Sequence, residues 1–141
     1  MNELQAALGV SQMERLEKFV SMRHQFQQRY DELLKNLPFI VPHQSPHSYS
    51  ALHLYPILID LNKVSKTREQ IFNELREEGI GVNVHYIPIH TQPHFQKLGF
   101  KEGDFPNSEA YYKRVITLPL YSSMKLEQQD KVNNALKKVL K

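Results

Sequence analysis

The chain has no cysteine, no tryptophan and only five glycines among its 141 residues. Without cysteine, disulfides and thiolate metal sites are excluded, and the composition fits a reducing, cytoplasmic compartment. Glycines are too few for a phosphate-cradling loop: Gly79-x-Gly81 has neither a third glycine nor a helix directly after it. No apolar run approaches the length of a membrane span, and the N-terminus lacks the basic-then-apolar layout of a signal peptide, so the chain reads as soluble. Charge of one sign is not concentrated anywhere. The 18 basic and 15 acidic residues are interspersed, the net charge is only +3, and no basic block is interleaved with aromatics, so no nucleic-acid groove is expected.

What is present is enough for a core. Seven Tyr, seven Phe and 40% hydrophobic residues exclude a disordered chain and suit a unit of single-domain size. Asn2 and Gln5 have capping-box spacing, and apolar residues then recur helically from Leu4 through Leu8, Leu16, Val20, Phe26, Tyr30 and Leu34 to Leu37. Residues 2–36 are therefore predicted to form one long helix or two in line, with Gly9 marking a close contact or a break. Pro38, Pro42 and Pro46 forbid a continued helix and suggest an extended linker. Leu52–Asp60 reads as a buried strand in which Pro56 implies an edge position or a bulge. Thr67 and Gln70 form a second capping box, opening a helix that Gly79 would close. Val82–His85 reads as a short strand. After a loop with a helical turn near His94–Leu98, Asn107 or Ser108 would cap a short helix, Val115–Leu118 would form a third strand, and a last helix would run from Leu126 to Leu140. This order predicts an α+β layered fold: a long N-terminal helical segment, then a small, roughly three-stranded sheet covered by helices.

Most chemical motifs fail on spacing. His85, His90 and His94, with His43, His47 and His53, invite a metal reading, but Pro88 and Pro93 break any helical face and no carboxylate stands at zincin spacing, so no metal site is assigned. Ser122 and Ser123 lack the glycines of a nucleophile elbow. Glu77/Glu78 and Glu102/Asp104 are candidate carboxylate pairs for acid–base work, and a helix-end pair such as the first is ordinarily solvated. The segment Gly79–His90 is different, because it sets two imidazoles and a phenol at a strand end and the loop after it. His85, Tyr86 and His90 can bond hydroxyls or phosphate oxygens, and Tyr can stack on a base or sugar ring. From the residues alone two readings stay open: a ligand-facing edge, or a strand-end His and Tyr satisfied inside the protein.

Several blocks, taken in order, resemble a known family. MNELQAALG at residues 1–9, Arg29-Tyr30 with Leu33-Leu34, His53-Leu54-Tyr55, the GIGVNVHYIPIH segment at 79–90, GDFPNSE at 103–109 and Leu118-Pro119-Leu120-Tyr121 resemble the DegT/DnrJ/StrS-type sugar aminotransferases. Pro56 and Lys125 depart from that pattern. The resemblance implies the small, C-terminal domain of the aspartate-aminotransferase (fold type I) architecture. Residues 1–37 would pack on a large pyridoxal-phosphate domain, and residues 38–141 would form the small domain.

It further implies a homodimeric enzyme passing an amino group from glutamate to a UDP-linked 4-keto-6-deoxy sugar, within cell-surface polysaccharide biosynthesis. The family's Schiff-base lysine and the Asp that pairs with the cofactor ring have no counterpart here; Lys97 comes nearest, in the wrong place. The chain is therefore expected to hold no catalytic residue, to bind no pyridoxal phosphate and to be inactive alone. His85, Tyr86 and His90 would line the substrate wall, with Phe105 and Asn107 beside them and Asn83 orienting the loop. A stand-alone sugar-nucleotide-binding or protein-interaction module is the alternative.

Overall fold

Helix α1 spans Glu3–Met13 and helix α2 Leu16–Leu34 in a computed structural model that describes residues 2–140; Met1 and Lys141 lie outside the described residues. The capping box is formed, with Asn2 Oδ1 accepting from the Gln5 N–H and Gln5 Oε1 from the Asn2 N–H. The two helices part at a turn through Glu14 and Arg15. Gly9 is neither a break nor a close contact, since nothing lies within 4 Å of where its Cβ would sit. No residue of α1 is buried. By contrast α2 buries Val20, Phe26, Gln27, Tyr30 and Leu34, so its second half belongs to the core of the remaining chain.

The sheet has three antiparallel strands in the order β1 (Phe39–Ile40), β2 (Tyr55–Ile59), β3 (Val115–Leu118). Two expectations are corrected here. The segment after Pro38, read as a linker, supplies β1, pairing Phe39 with Ile59 and Ile40 with Leu58. Val82–His85, read as a short strand, makes only one bridge, Asn83 to Thr117, closed by two backbone hydrogen bonds of 3.1 and 2.8 Å.

Pro56 is in the central strand, neither an edge strand nor a bulge. It lies opposite Thr117, whose backbone N–H and C=O both point to Asn83 instead. On the other side β1 ends at Ile40, opposite Leu58, so no ladder bond is lost at Pro56.

Helix α3 (Arg68–Glu77) starts at the predicted Thr67–Gln70 box and stops at Gly79, whose φ of +73° is the left-handed conformation a helix-ending glycine takes. The Gly79 and Ile80 N–H groups bond Arg76 O and Leu75 O, which leaves Ile80 packed in the core beside Leu75. Helices α4 (Pro93–Lys97) and α5 (Pro106–Tyr112) are short, and α6 (Leu126–Val139) closes the fold. The N-cap of α5 is Phe105, not Asn107 or Ser108, because Pro106 takes the first helical position, where its missing N–H costs nothing.

Helices α2, α3 and α6 bring Phe26, Tyr30, Leu34, Ile71, Leu75, Leu136 and Val139 against Tyr55, Ile57, Ile59, Ile116 and Leu118 in one core. Each such side chain contributes about 1.5–3 kcal/mol on full burial. Along β2 burial alternates, with Tyr55, Ile57 and Ile59 inward, as the period of two in a strand requires. Polar ties fix the helices: Gln129 Nε2 donates to Phe26 O at 2.8 Å, and Arg29 meets Asp130 at 2.7 Å. Tyr30 Oη donates to Pro119 O, and Tyr55 Oη to Asp31, which also accepts from Gln27. Burial pushes both phenols well above the usual tyrosine range, so they remain protonated donors.

Candidate functional site

The segment leaving α3 bridges to β3 at Asn83 and carries His85, Tyr86 and His90 beyond it, while Phe105 and Asn107 stand at the start of α5. Asn83 pairs with β3 through its backbone, and its side-chain Oδ1 accepts from the Val84 N–H at 2.8 Å, which shapes the turn into His85. The His85 ring is half-buried, with Nδ1 at 2.9 Å from the hydroxyl of buried Thr117. Thr117 thereby occupies one ring nitrogen and leaves Nε2 to meet a ligand. The His85–Tyr86 peptide is cis, and the Tyr86 ring meets the imidazole edge-on, with centroids 4.6 Å apart. Tyr86 is 70% exposed. Together with Val84, Ile87, Ile89 and Gln92 it lines a surface hollow of about 490 Å³.

His90 is placed differently. It sits in a 3₁₀ turn, Ile89–Thr91, that Thr91 Oγ1 pins to Pro88 O at 2.7 Å, and it is buried. Its Nε2 lies 2.7 Å from Glu109 Oε1. That same oxygen accepts from the Gly103 N–H at 2.8 Å and the Phe105 N–H at 3.4 Å. The Gly103 N–H, then the His90 and Phe105 contacts, hold the Glu109 carboxyl below the usual range against the opposing effect of burial. The Phe105 ring packs against His90 at 4.8 Å between centroids and is half exposed. Asn107 stands exposed in the first turn of α5.

Five of the six residues thus fall into two groups, and Asn107 belongs to neither. His85, Tyr86 and Asn83 are organised by β3 through Thr117, while His90 and Phe105 are organised by α5 through Glu109. Neither organiser was singled out from sequence. Thr117 carried a signal, as the polar residue in an otherwise apolar Val-Ile-Thr-Leu strand. Glu109 closes the GDFPNSE block, but nothing in its spacing marked it as buried.

A covalent cofactor anchor would be a lysine shielded from water with its amine unengaged. Among the described residues every lysine is exposed except Lys66, which is taken up by Glu74 at 2.7 Å and Val139 O at 2.7 Å. Among the described residues, therefore, no lysine fits such an anchor. Also among the described residues, no three His, Asp or Glu side chains gather as a metal ion requires, and no helix is long and apolar enough to cross a membrane.

The model of the DegT/DnrJ/EryC1/StrS aminotransferase family matches residues 1–137. The chain belongs to this family. Its relatives there include the spore coat polysaccharide biosynthesis protein SpsC of Bacillus subtilis, 40% identical over all of this chain and 37% of SpsC. A second is the UDP-4-amino-4,6-dideoxy-N-acetyl-beta-L-altrosamine transaminase of Helicobacter pylori, 33% identical over all of this chain and 36% of that protein. The chain thus spans a little over a third of the length of these family members.

Among solved structures, Helicobacter pylori PseC, an aminotransferase involved in the biosynthesis of pseudoaminic acid, superposes with a TM-score of 0.89 at 30% identity, over 99% of this chain and 38% of that one. A DegT DnrJ EryC1 StrS aminotransferase from Brucella abortus gives 0.83 at 26% identity, over 99% and 36%. The α+β fold described above is shared with these structures over 99% of the chain.

Proposed function

We propose that this chain forms part of a pyridoxal-phosphate-dependent nucleotide-sugar aminotransferase, and that within it residues 83–107 supply a wall of the sugar-nucleotide site. Glutamate would be the amino donor, a UDP-linked 4-keto-6-deoxy sugar the acceptor, and the assembly a homodimer. Pyridoxal phosphate, when bound, supplies the electron sink for amino transfer. The lysine that anchors it would come from outside this chain, whose 1–37 segment would pack on the cofactor domain. Supporting the reading is membership of an aminotransferase family over residues 1–137, with a relative named for a UDP-sugar transamination.

The observation that carries the wall assignment is the His85–Thr117 contact. It fixes a half-exposed imidazole beside an exposed phenol, a pairing that can bond hydroxyls or phosphate oxygens and stack on a ring. His85 and Tyr86 are assigned direct contact, with Phe105 and Asn107 flanking them. Asn83 and His90 shape the loops that carry these side chains. None of the six is assigned a proton-transfer step.

Calorimetric titration of the chain with UDP-N-acetylglucosamine tests this reading. Saturable binding that weakens about tenfold in His85→Ala and Tyr86→Ala is expected, the loss of a hydrogen bond or a stacked ring. Unchanged binding in both variants refutes the contact assignment. Treatment with pyridoxal phosphate and borohydride should leave no single stoichiometric lysine adduct; such an adduct would overturn the view that the anchor lies elsewhere. The exposed or engaged lysines also suit a second reading, a stand-alone sugar-nucleotide-binding module. Both readings expect saturable UDP-sugar binding; amino transfer when the chain is joined to a cofactor-anchoring domain favours the first, and binding with no such transfer favours the second.

A further inference from the structure

Glu109 is a buried carboxylate with no place in the contacts proposed above. It sits on the fourth residue of α5 and turns back over the loop that precedes its own helix. One of its oxygens collects donors from three places: His90 on the 3₁₀ turn, Gly103 at a left-handed position (φ +97°), and Phe105 at the helix N-cap. Phe105 is gripped twice, because its carbonyl also accepts the Glu109 N–H at 3.1 Å. Its ring then rests on the imidazole that the same carboxylate holds. The turn behind is closed separately, by Asp104 Oδ2 accepting from the Lys101 N–H at 2.9 Å.

This arrangement is a poor way to gain stability. Burying a carboxylate and an imidazole costs desolvation that well-packed apolar residues would avoid. The ring it locks, Phe105, remains half exposed, so little apolar area is gained in return. What the contacts do deliver is geometry: one atom fixes the spacing between the loop bearing Tyr86 and His90 and the loop bearing Phe105.

We propose that Glu109 is the positioning residue of the sugar-nucleotide wall, clamping His90 and the Gly103–Phe105 loop so that the Phe105 ring faces the ligand. The proposal rests on the reading of the wall given above, and it acts through Phe105 rather than by touching the ligand.

Amide hydrogen exchange on the free 141-residue chain tests the clamp without any ligand. In Glu109→Gln, the Gly103 and Phe105 amides should exchange at least about tenfold faster, with the Asn83 and Thr117 amides unchanged. Glu109→Asp, which keeps the charge but is one methylene short, should fall between Gln and wild type. It also stands in for Gln should that variant fail to fold. Titration with UDP-N-acetylglucosamine then tests the positioning. Glu109→Gln should weaken binding about fivefold in the native chain but less than twofold on a Phe105→Ala background, the non-additivity expected of a residue acting through its neighbour.

Unaltered Gly103 and Phe105 amides, or acceleration shared equally by Asn83 and Thr117, would overturn the clamp. Equal weakening on both backgrounds would overturn its action through Phe105. Absence of binding to the native chain would sink the wall reading itself, and the exchange comparison would still decide whether Glu109 holds the loops.

Discussion

Thr117 offers its hydroxyl to His85 from the middle of a strand whose other side chains are Val, Ile and Leu. Replacing it by Val keeps the shape and the strand preference and removes only that contact. His85 is half exposed, so water can take over at Nδ1 and the stability change should stay within about 1 kcal/mol. Loss of the fixed ring orientation should nonetheless weaken UDP-sugar binding severalfold. A thermal melt paired with a titration separates the two effects.

Glu109 predicts a pH dependence with a defined sign. Its folded-state carboxyl titrates below the ordinary 4.5, so its contribution to stability is present above that value and is lost as pH falls through the depressed pKa. The stability gap between the native chain and Glu109→Gln should therefore narrow below about pH 4.5 in denaturant titrations. Asp31 works in the opposite sense. Burial raises its pKa from 3.8, so stability is lost as pH rises through the raised value.

At the scale of elements, α3 shows how local chemistry sets both ends of a helix. The Thr67–Gln70 box starts it, and Gly79 ends it in a left-handed conformation. Gly79→Ala would force an L side chain into that conformation and bring its Cβ to 3.3 Å from Lys131 Nζ. The lysine tip can swing away, so backbone strain dominates, at about 1 kcal/mol. Thr67→Ala should cost a similar amount, about 1 kcal/mol, through the lost cap. Urea denaturation of the two variants checks both values. The strand elements behaved differently from the helices. The two residues of β1 and the lone bridge at Asn83 owe their state to partners at Ile59, Leu58 and Thr117, remote in sequence.

For the molecule as a whole, α1 is the anomaly. Leu4, Leu8, Val10 and Met13 are all more than 60% exposed, on several sides of a helix with no buried residue. A helix apolar around its circumference needs cover on more than one side. The isolated chain is therefore predicted to self-associate through residues 4–37. Sedimentation analysis should show concentration-dependent dimers or larger species, and Leu4→Lys combined with Leu8→Lys should return the monomer without lowering the melting temperature of the core.

The helical segments, the caps at Asn2–Gln5 and Thr67–Gln70, the stop at Gly79 and the α+β class were legible in the sequence because those features are local, whereas the α1–α2 break at Glu14–Arg15 and the Phe105 cap of α5 were not. A helix start depends on residues three apart, a helix end on one glycine, and an inward face on a period of 3.6. The order of family-like blocks was equally legible, and with it the family. The tertiary structure decided the rest. It made Phe39–Ile40 a strand, left Val82–His85 a single bridge and put Pro56 in the central strand where no ladder bond is lost. It also separated histidines that look equivalent in sequence, leaving His85 half exposed on Thr117 and burying His90 on Glu109. Those outcomes turn on residues 19 and 32 positions apart along the chain. Only the folded backbone brings such residues within hydrogen-bonding distance, and burial then decides which polar groups must find a partner inside.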